Sequence, residues 1–560
     1  MWLRETSVLM IGLLGVIPFA AGTKPAIAAD PGKVVPGYRD LEPLQLPTLD
    51  ISGQTERHVI VAQGTEKVYQ GHADTVLMPD GKTMFCVWSL NHGWGDPLLK
   101  RSDDTGLTWT SVPVPENWNY WNEQTSAPHT TLGARGRGYL PVIHHLVDPK
   151  GKERLFIFDR GQNDKMIQAF SEDGGQTWSA MQPNGLNAFC TSMNIVPSRN
   201  GKKWLMWQST STTPDIFQAE THDGGLSWRN ERSVIDTSGV PGVRMIEPGV
   251  IRSPDGTQLL MLIRDFSRGA TYNALYSVSD DDGDTWSIPK RLPPGLTGDR
   301  HSPLYAPDGR LVVAMRDTLR NASSPSLGHF ILWIGRYEDI IQGRDGQYRV
   351  KLLHSHAGGD CGYPSLQKTP DGTIIATTYI KYAAGPELQS VVSTRFRMEE
   401  LDGLLAKGTS VLSPLRGLDC NEDGQRLFDE PMAVLDPVEG ELRQLGLNQL
   451  IFSNRSYRFA SLPEPLARHS FVFSGIEKTA AVCRKPGVVY VLTPRPERNE
   501  RGSLERALLE QGFVKANLPE FFLWSRDAGT ICSVYQKRVE TGERVAFGLW
   551  GILVCSGTGN

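Results

Sequence analysis

The stretch Ser102-Asp103-Asp104-Thr105-Gly106-Leu107-Thr108-Trp109 decides the fold, because its pattern returns three more times along the chain. The pattern is Ser/Thr-x-Asp-x-Gly-x-Thr/Ser-Trp, and the further copies begin at Ser171, Thr221 and Ser279. In a tight hairpin the Asp carboxylate caps backbone N–H groups of its own turn, and the Gly adopts a positive φ. Four copies at intervals of fifty to seventy residues predict a repeat architecture.

A second repeat consists of Asp-Gly-like turns that lie between short apolar runs. Turns of this kind predict β-hairpins between buried strands. Six such hairpins, four of them followed by the Asp motif, predict six four-stranded blades closed into a β-propeller, an all-β fold. The six turns are Asp80-Gly81, Lys150-Gly151, Asn200-Gly201, Asp255-Gly256, Asp308-Gly309 and Asp371-Gly372.

The N-terminus predicts export. Residues 1–28 have the pattern of a secretory signal peptide, with Arg4 before an apolar stretch and small residues at Ala26-Ile27-Ala28. A secreted or periplasmic location, with no stable membrane span after cleavage, follows from this interpretation. The alternative is an uncleaved anchor, although the apolar stretch is short and interrupted by glycine and proline.

The rest of the chain divides into four segments. Residues 29–54 are a linker or N-terminal arm, and 55–410 are the six-bladed propeller. Residues 411–449 are a linker, with short pairing strands as the alternative, and 450–560 are a small C-terminal β-sandwich-like domain. Aromatic residues of the last segment either line a sugar-binding face or fill a core: Phe521, Phe522, Trp524 and Trp550.

Charge and composition exclude some classes of function. The formal net charge of −4, without a long basic run, argues against a nucleic-acid partner held by bulk electrostatics. The seven cysteines have no CxxC spacing, and no other metal-ligand spacing is present. We therefore predict neither a metal nor a cofactor.

Candidate site residues emerge from the hairpin turns. Counting back eight residues gives His72, Glu247, Arg300 and Tyr363 in blades one, four, five and six, and Val142 and Ser192 in blades two and three. Equal offsets from equivalent turns predict equivalent places around the central axis. Because buried charges are costly unless paired, a ring of this composition indicates a functional site.

Counting forward from the same turns finds two arginines. Arg264 lies nine residues beyond Asp255 and Arg316 lies eight beyond Asp308, and each is followed by an Asp. They are interpreted either as structural Arg–Asp pairs or as guanidinium forks for a carboxylate or sugar hydroxyls.

The Asp motif resembles the Asp box of the sialidase (neuraminidase) superfamily, whose members carry bacterial-neuraminidase repeats on a six-bladed β-propeller. In that superfamily the boxes are structural, which implies the same for Asp104, Asp173, Asp223 and Asp281. The resemblance further implies a Tyr nucleophile activated by a Glu, an Asp acid/base on a loop, and three arginines that bind the substrate carboxylate.

Individual residues match these implied roles. Tyr363, in Gly362-Tyr363-Pro364-Ser365-Leu366, matches the nucleophile and Glu247 its partner. Asp96 resembles the acid/base, and Arg264 matches the second arginine. A phenol beside a carboxylate can attack an anomeric carbon without like-charge repulsion, and tyrosine nucleophiles are a known exception among glycosidases.

The chain also departs from the superfamily. His72 stands where the first arginine is expected, and Gly328-His329-Phe330-Ile331-Leu332 has no counterpart of the third. Arg300, Arg316 and Arg320 are candidate substitutes, and His92 and His301 are further candidates for the pocket.

The favoured hypothesis is an exported, exo-acting, retaining sialidase-like glycoside hydrolase. Its partner is a glycan or glycoconjugate, from which it removes a terminal sugar, with an acidic one favoured. The alternatives are a non-catalytic propeller lectin, motivated by the incomplete arginine triad, and a propeller hydrolase or lyase of different sugar specificity.

Overall fold

The architecture is that of a computed structural model in which part of the chain is described. The described residues are 44–92, 97–115, 118, 140–161, 164–190, 194–210, 212–267, 274–319, 324–357, 359–383, 385–412, 431–467, 469–495, 503–516, 518, 521–524 and 529–556. The predicted signal peptide, most of the predicted N-terminal arm, the candidate acid/base Asp96 and the candidate substitute Arg320 lie outside these ranges.

Six antiparallel sheets form the blades of a β-propeller, and two short N-terminal strands precede them, β1 (Thr48–Asp50) and β2 (His58–Ala62). Blade one contains β3 (Gln70–Leu77), β4 (Met84–Leu90), β5 (Pro97–Ser102) and β6 (Thr110–Ser111). Blade two contains β7 (Val142–Val147), β8 (Glu153–Arg160), β9 (Lys165–Ser171) and β10 (Gln182–Asn187). Blade three contains β11 (Ile195–Pro197), β12 (Trp204–Ser209), β13 (Ile216–Thr221) and β14 (Arg229–Ile235).

The second half of the ring follows the same order. Blade four contains β15 (Met245–Arg252), β16 (Leu259–Asp265), β17 (Leu275–Ser279) and β18 (Lys290–Arg291). Blade five contains β19 (Gly298–Tyr305), β20 (Leu311–Asp317), β21 (Phe330–Gly335) and β22 (Tyr348–Leu353), with helix α1 (Tyr337–Ile341) between its last two strands. Blade six contains β23 (Cys361–Lys368), β24 (Ile374–Ile380) and β25 (Ser390–Phe396), followed by helix α2 (Met398–Ala406) and strand β26 (Val411–Leu412).

The N-terminal strand β2 closes the ring. It pairs antiparallel with β25 and so supplies the outermost strand of blade six. Strand β1 pairs with β22 on the outside of blade five, and β26 pairs with β1. Because strands from the beginning and the end of the propeller sequence pair with one another, the ring is closed and fewer sheet edges are left open.

The blades are held together by six apolar clusters, one between each pair of neighbours. Strand β16 shows how its sequence produces this packing. Leu259, Met261 and Ile263 pack toward blade three, and Leu260 and Leu262 pack toward blade five. Because successive side chains of a strand point to opposite faces, a strand buried on both faces needs a continuous apolar run.

The repeated turns have the geometry that their residues predict. All six hairpin glycines, from Gly81 to Gly372, have φ between 68° and 86°. In the first Asp box, Asp104 accepts hydrogen bonds from the Thr108 backbone N at 2.8 Å and its hydroxyl at 2.6 Å. A Cβ on Gly175 of the second box would lie 2.4 Å from the Phe85 ring, so only glycine allows this approach of blade two to blade one. The predicted six-bladed all-β fold is thereby confirmed.

The C-terminal region is a β-sandwich-like pair of sheets. A large sheet presents Val488, Tyr490 and Leu492 to one apolar cluster and Val489 and Val491 to another, which a three-stranded sheet covers. The strands are β27 (Val434–Pro437), β28 (Glu441–Gln444), β29 (Leu450–Phe452), β30 (Arg455–Phe459), β31 (Ser470–Phe473), β32 (Thr479–Lys485), β33 (Gly487–Pro494), β34 (Val514–Lys515), β35 (Phe521–Trp524), β36 (Gly529–Val539), β37 (Arg544–Phe547) and β38 (Ile552–Cys555), with helix α3 (Glu505–Glu510) before β34.

Two details bear on the predicted C-terminal segments. Strands β27 and β28 lie in the stretch interpreted as a linker, yet they pair with β32 and β31. Trp550 is 6% exposed within an apolar cluster, so this aromatic fills a core rather than a surface. Among the described residues, no helix is long and apolar enough to cross a bilayer.

Candidate active site

A β-bulge in the first strand of four blades builds the candidate active site. His72, Glu247, Arg300 and Tyr363 have φ of 33°, 54°, 53° and 56°, in the left-handed region. At each of them the register of the first and second strands shifts, with two residues opposite one. Such bulges bend the strand and redirect a side chain. A left-handed non-glycine residue costs about 1–3 kcal/mol, and strain of this kind clusters at functional sites.

The second strands contribute a matching set of residues. Arg264, Arg316 and Tyr379 lie opposite the residue that precedes the bulge in blades four, five and six. They follow the hairpin turns at nearly equal offsets, and their side chains therefore meet the bulged residues at one end of the propeller.

The centre of the site is a hydrogen bond between Tyr363 and Glu247. The Tyr363 hydroxyl donates to Glu247 Oε1 at 2.6 Å. The other carboxylate oxygen of Glu247 accepts from Arg264 Nη1 at 3.0 Å, and the residue is 1% exposed. The Arg300 guanidinium carbon lies 3.9 Å from the centroid of the Tyr363 ring, and its Nη1 is 4.0 Å from Glu247 Oε1.

The electrostatics of this pair fix where its proton lies. Burial alone would raise the pKa of Glu247, but the Arg264 and Arg300 guanidiniums outweigh it, so the pKa lies below its ordinary value of 4.5. Burial and the Glu247 charge together raise the pKa of Tyr363 well above its ordinary value. At neutral pH the pair is therefore a neutral phenol beside an ionised carboxylate.

Asp299 links two of the arginines. Its carboxylate lies 3.1 Å from Arg264 Nε and 2.5 Å from Arg316 Nη2. Arg316 also donates to the backbone carbonyls of Gly359 and Cys361, just before Tyr363 in the chain. Despite burial, the Asp299 charge raises the pKa of Arg316. Arg264 and Arg316 are thus held in place by acceptors of the protein itself.

Arg300 differs from these two arginines. It is 4% exposed, and its buried Nη1 has no hydrogen-bond acceptor among the described residues. A buried donor without an acceptor costs about 1–3 kcal/mol. Arg300 is therefore an arginine of the site with a donor left for a ligand, and the buried Nε of Arg264, although 3.1 Å from Asp299 Oδ1, likewise makes no hydrogen bond to a described residue.

Aromatic and acidic residues form the rim beside Tyr363. The His72 ring centroid is 4.2 Å from that of Tyr363 and 4.6 Å from that of His92. His92 Nδ1 lies 3.2 Å from Asp360 Oδ1, which also accepts from the Tyr69 hydroxyl at 3.0 Å. Burial would raise the pKa of Asp360, but the hydrogen bond and charge of His92 lower it.

His301 lies in the wall rather than at the rim. It is fully buried, and its Nε2 donates to the Leu296 carbonyl at 2.9 Å. Burial lowers the pKa of its imidazole. Its own carbonyl would lie 2.1 Å from a Cβ on Gly249, so this glycine lets blades four and five come close together.

The structure therefore brings most of the predicted site residues together. Tyr363, Glu247, Arg264, Arg300 and Arg316 form one connected group. His72, which is buried, and His92, which is exposed, adjoin this group beside Tyr363, and His301 lies behind it. Asp96 is outside the described residues, and the four Asp-box carboxylates cap turns between the third and fourth strands.

Three further residues of the site were missed by sequence reasoning. Asp299 and Asp360 lie next to candidates, directly before Arg300 and shortly before Tyr363. Tyr379 lies eight residues beyond Asp371, the offset that identified Arg316. The forward count from the turns therefore contained the signal for Tyr379.

Three solved structures illustrate what this chain is similar to. A protein of unknown function from Dyadobacter fermentans is 16% identical, with 60% of this chain and 98% of that chain covered and a TM-score of 0.44. The intramolecular trans-sialidase from Ruminococcus gnavus is 13% identical, with 61% and 97% covered and a TM-score of 0.42. The NanB sialidase from Streptococcus pneumoniae is 11% identical, with 61% and 71% covered and a TM-score of 0.42. No curated protein matches the chain.

The family described as BNR repeat-like domain matches residues 55–215 and 209–375. The two matches together take in more than half of the 560 residues and include all four bulged residues. The predicted resemblance to the superfamily of sialidases and their repeats is confirmed, and the chain belongs to the BNR repeat-like domain family.

Proposed function

We propose that the chain is a retaining, exo-acting glycoside hydrolase that removes a terminal, acidic sugar from glycans. The observation that carries the proposal is the 2.6 Å hydrogen bond from the Tyr363 hydroxyl to Glu247. A neutral phenol beside an ionised, buried carboxylate is the arrangement that a tyrosine nucleophile requires, because the carboxylate can take the proton as the phenol attacks.

The first step forms a bond between Tyr363 Oη and the anomeric carbon, and the bond from that carbon to the leaving oxygen breaks. Glu247 receives the phenolic proton, and the leaving oxygen receives a proton from the acid, for which Asp96 remains the candidate. The Arg300 guanidinium, 3.9 Å from the Tyr363 ring centroid, stabilises negative charge that develops on the phenol.

The second step reverses these transfers. Water attacks the anomeric carbon while the acid/base takes one of its protons, and the bond to Tyr363 Oη breaks. Glu247 returns its proton to the phenolate, so the free enzyme is restored. Two displacements at one carbon give net retention of configuration.

An acidic substrate is favoured by Arg300. Its Nη1 and the buried Nε of Arg264 have no hydrogen-bond acceptor among the described residues, although Arg264 is ion-paired with Glu247 and Asp299. Arg316 is ion-paired with Asp299. A guanidinium binds a carboxylate through two parallel hydrogen bonds. We therefore place the substrate carboxylate at Arg300, with Arg264 as the second donor.

The experiment is incubation of the purified chain with a panel of fluorogenic glycosides that includes a sialoside. Release from the sialoside by the wild type, and its loss in Tyr363→Phe, is the expected result. Tyr337→Phe is the matched control, because this hydroxyl binds Gln258 on the outside of blades four and five. Full activity of Tyr363→Phe on a substrate that the wild type cleaves would overturn the mechanism.

A lyase is the second candidate, and the pairing of His72 with Tyr363 favours it. Two proton-transfer groups with ring centroids 4.2 Å apart can remove and deliver a proton in an elimination from an acidic sugar. The product then contains a carbon–carbon double bond, which ultraviolet absorbance detects. Binding of glycans with neither product would instead favour the lectin.

Export of the chain is a further part of the proposal. It rests on the signal-peptide pattern of residues 1–28. Mass spectrometry of the mature N-terminus tests it, with cleavage before Ala29 as the expected result.

A further inference from the structure

A row of alternating cationic and aromatic side chains leads away from the candidate active site. We call Arg160, Phe189, Arg244, Phe266 and Arg264 the Arg–Phe row. The Arg244 guanidinium carbon lies 5.2 Å from the Phe189 ring centroid and 5.6 Å from that of Phe266. Arg160 lies 4.7 Å from Phe189, and Arg264 lies 5.0 Å from Phe266.

The two ends of the Arg–Phe row are neutralised and its middle is not. Arg160 pairs with Asp164 at 2.5 Å, and Arg264 pairs with Glu247 and Asp299. Arg244 forms no ion pair with any residue that the structure describes, and its buried Nε has no hydrogen-bond acceptor there. Arg244 is therefore a positive charge without compensation, partly withdrawn from solvent.

The aromatic neighbours make Arg244 suited to binding an anion. Rings on two sides of a guanidinium exclude water from it and restrict its orientation, while its N–H groups lie at the edge of the guanidinium plane. A carboxylate or sulfate ester could then accept two hydrogen bonds in a site where the charge interaction is only weakly screened. A buried guanidinium donor without such an acceptor is otherwise destabilising.

The Arg–Phe row lies on the face of the propeller that carries Tyr363. Arg160 ends β8, Arg244 immediately precedes β15, and Phe266 immediately follows β16. The first strands begin and the second strands end at this face, where the bulges also lie. Phe266 is 39% exposed, so the row is accessible next to Arg264, which contacts Glu247 directly.

We propose that Arg244, held between Phe189 and Phe266, binds an anionic substituent of the sugar residue next to the one whose bond is cleaved. This inference rests on the proposed function and narrows the substrate class to glycans with acidic groups on neighbouring residues. The exposed Phe266 ring provides an apolar surface for the sugar ring that carries the anion.

The test measures binding without turnover. The full chain with Tyr363→Phe is titrated calorimetrically with three probes: a polymannuronate hexasaccharide, which has a carboxylate on every residue, its carboxyl-reduced neutral counterpart, and a chondroitin sulfate hexasaccharide. We expect the anionic probes to bind about tenfold or more tightly than the neutral probe, and Arg244→Gln to reduce that difference to the part that Arg300 contributes. Added salt should weaken binding of the anionic probes only.

Two further variants separate recognition from bulk charge. Arg232→Gln removes the same charge from blade three, where Arg232 pairs with Asp284 beside an Asp box, and should leave the preference intact. Arg244→Lys keeps the charge but lacks the planar fork, and should keep only part of the preference. Thermal melts verify that each variant is folded.

The proposal is overturned if the chain with Arg244 intact shows no preference for anionic probes or binds none of them. It is also overturned if Arg244→Gln behaves like Arg232→Gln. Tighter binding of the chondroitin sulfate probe than of the polymannuronate probe would indicate a sulfate at Arg244, and the reverse order would indicate a carboxylate. Failure of the glycosidase proposal is distinguishable, because it appears as no turnover in the fluorogenic panel while binding through Arg244 persists.

Discussion

Tyr363 and Glu247 belong to blades six and four, yet the phenolic oxygen lies 2.6 Å from the carboxylate. The contact is possible because both residues are bulged, with φ of 56° and 54°, so both side chains turn toward the space that the blades enclose. Residues 116 positions apart in the chain thus form one chemical unit.

If the two residues act as a unit, their effects on turnover are not additive. Tyr363→Phe and Glu247→Gln should each lower kcat by about a hundredfold or more. The double variant should then be no more than a few times slower than the worse single variant. The measurement is kcat on the fluorogenic glycoside that the wild type cleaves, and losses that multiply would show that the residues act independently.

Glu247 also stabilises the fold, because it compensates two buried guanidiniums. Glu247→Gln leaves Arg264 and Arg300 without that charge and should destabilise the protein by about 3 kcal/mol. The pKa of Glu247 lies below its ordinary value of 4.5, so its contribution is present above about pH 4.5 and is lost as the pH falls through the lowered pKa. Unfolding midpoints of wild type and variant should therefore differ at pH 7 and converge in acid. A constant difference across this range would contradict the assignment.

Asp299 should position Arg264 and Arg316 rather than contact the substrate. Asp299→Asn weakens both ion pairs, at 3.1 Å and 2.5 Å, and should lower kcat/KM by about tenfold while the nucleophilic pair stays intact. The control is Asp265→Asn, which removes the ion-pair partner of Arg291 within blade four. An affinity for a carboxylate inhibitor unchanged in Asp299→Asn would indicate that the arginines need no such support.

Much of the propeller could be predicted from local chemistry. Local sequence determines the conformation of the hairpin turns, such as Asp80-Gly81 and Asp371-Gly372, and of the four Asp boxes. This is because capping carboxylates and positive-φ glycines act on backbone groups only a few residues away. The continuous apolar run of β16 likewise predicts that both faces of this strand are buried. The bounds and partners of β27 and β28 were not predicted, because these strands are short, lie in a stretch rich in turn formers, and pair with distant strands.

The site was predictable in position but not in conformation. Equal offsets pointed to Tyr363 and Glu247, but no sequence rule places Tyr or Glu in the left-handed region, which such residues disfavour. Asp299 pairs with Arg316 inside blade five, but its pairing with Arg264 of blade four needs the close approach of these two blades, which Gly249 allows. That approach is a tertiary property, so sequence alone could not reveal which buried guanidinium donors stay without an acceptor.

The bulges make a prediction about backbone strain. At an ordinary strand position Ala is more stable than Gly, but at His72, with φ of 33°, a side chain of any kind is strained. His72→Gly should therefore be about 1 kcal/mol more stable than His72→Ala. Val76 of the same strand is the control, where the Ala variant should be the more stable. The unfolding midpoints of the four variants test this prediction. If the Ala variant were more stable than the Gly variant at position 72 as well, the bulge would relax when His72 is replaced.

The Asp boxes predict the acid stability of the ring. Despite burial, hydrogen bonds from Thr108 and its neighbours lower the pKa of Asp104 from 3.8 to about 2, and those from Thr177 lower the pKa of Asp173 to about 2. Because the folded-state pKa is lowered, the stabilisation is present above about pH 4 and is lost as the pH falls toward 2. The thermal midpoint should fall steeply in this window, and Asp173→Asn should reduce that dependence, since the variant has no carboxylate to protonate.

Asp103→Asn, at an exposed neighbouring side chain, should retain the wild-type slope. Equal slopes in wild type and Asp173→Asn would mean that the acid transition arises elsewhere, for example from the buried carboxylates at the candidate active site.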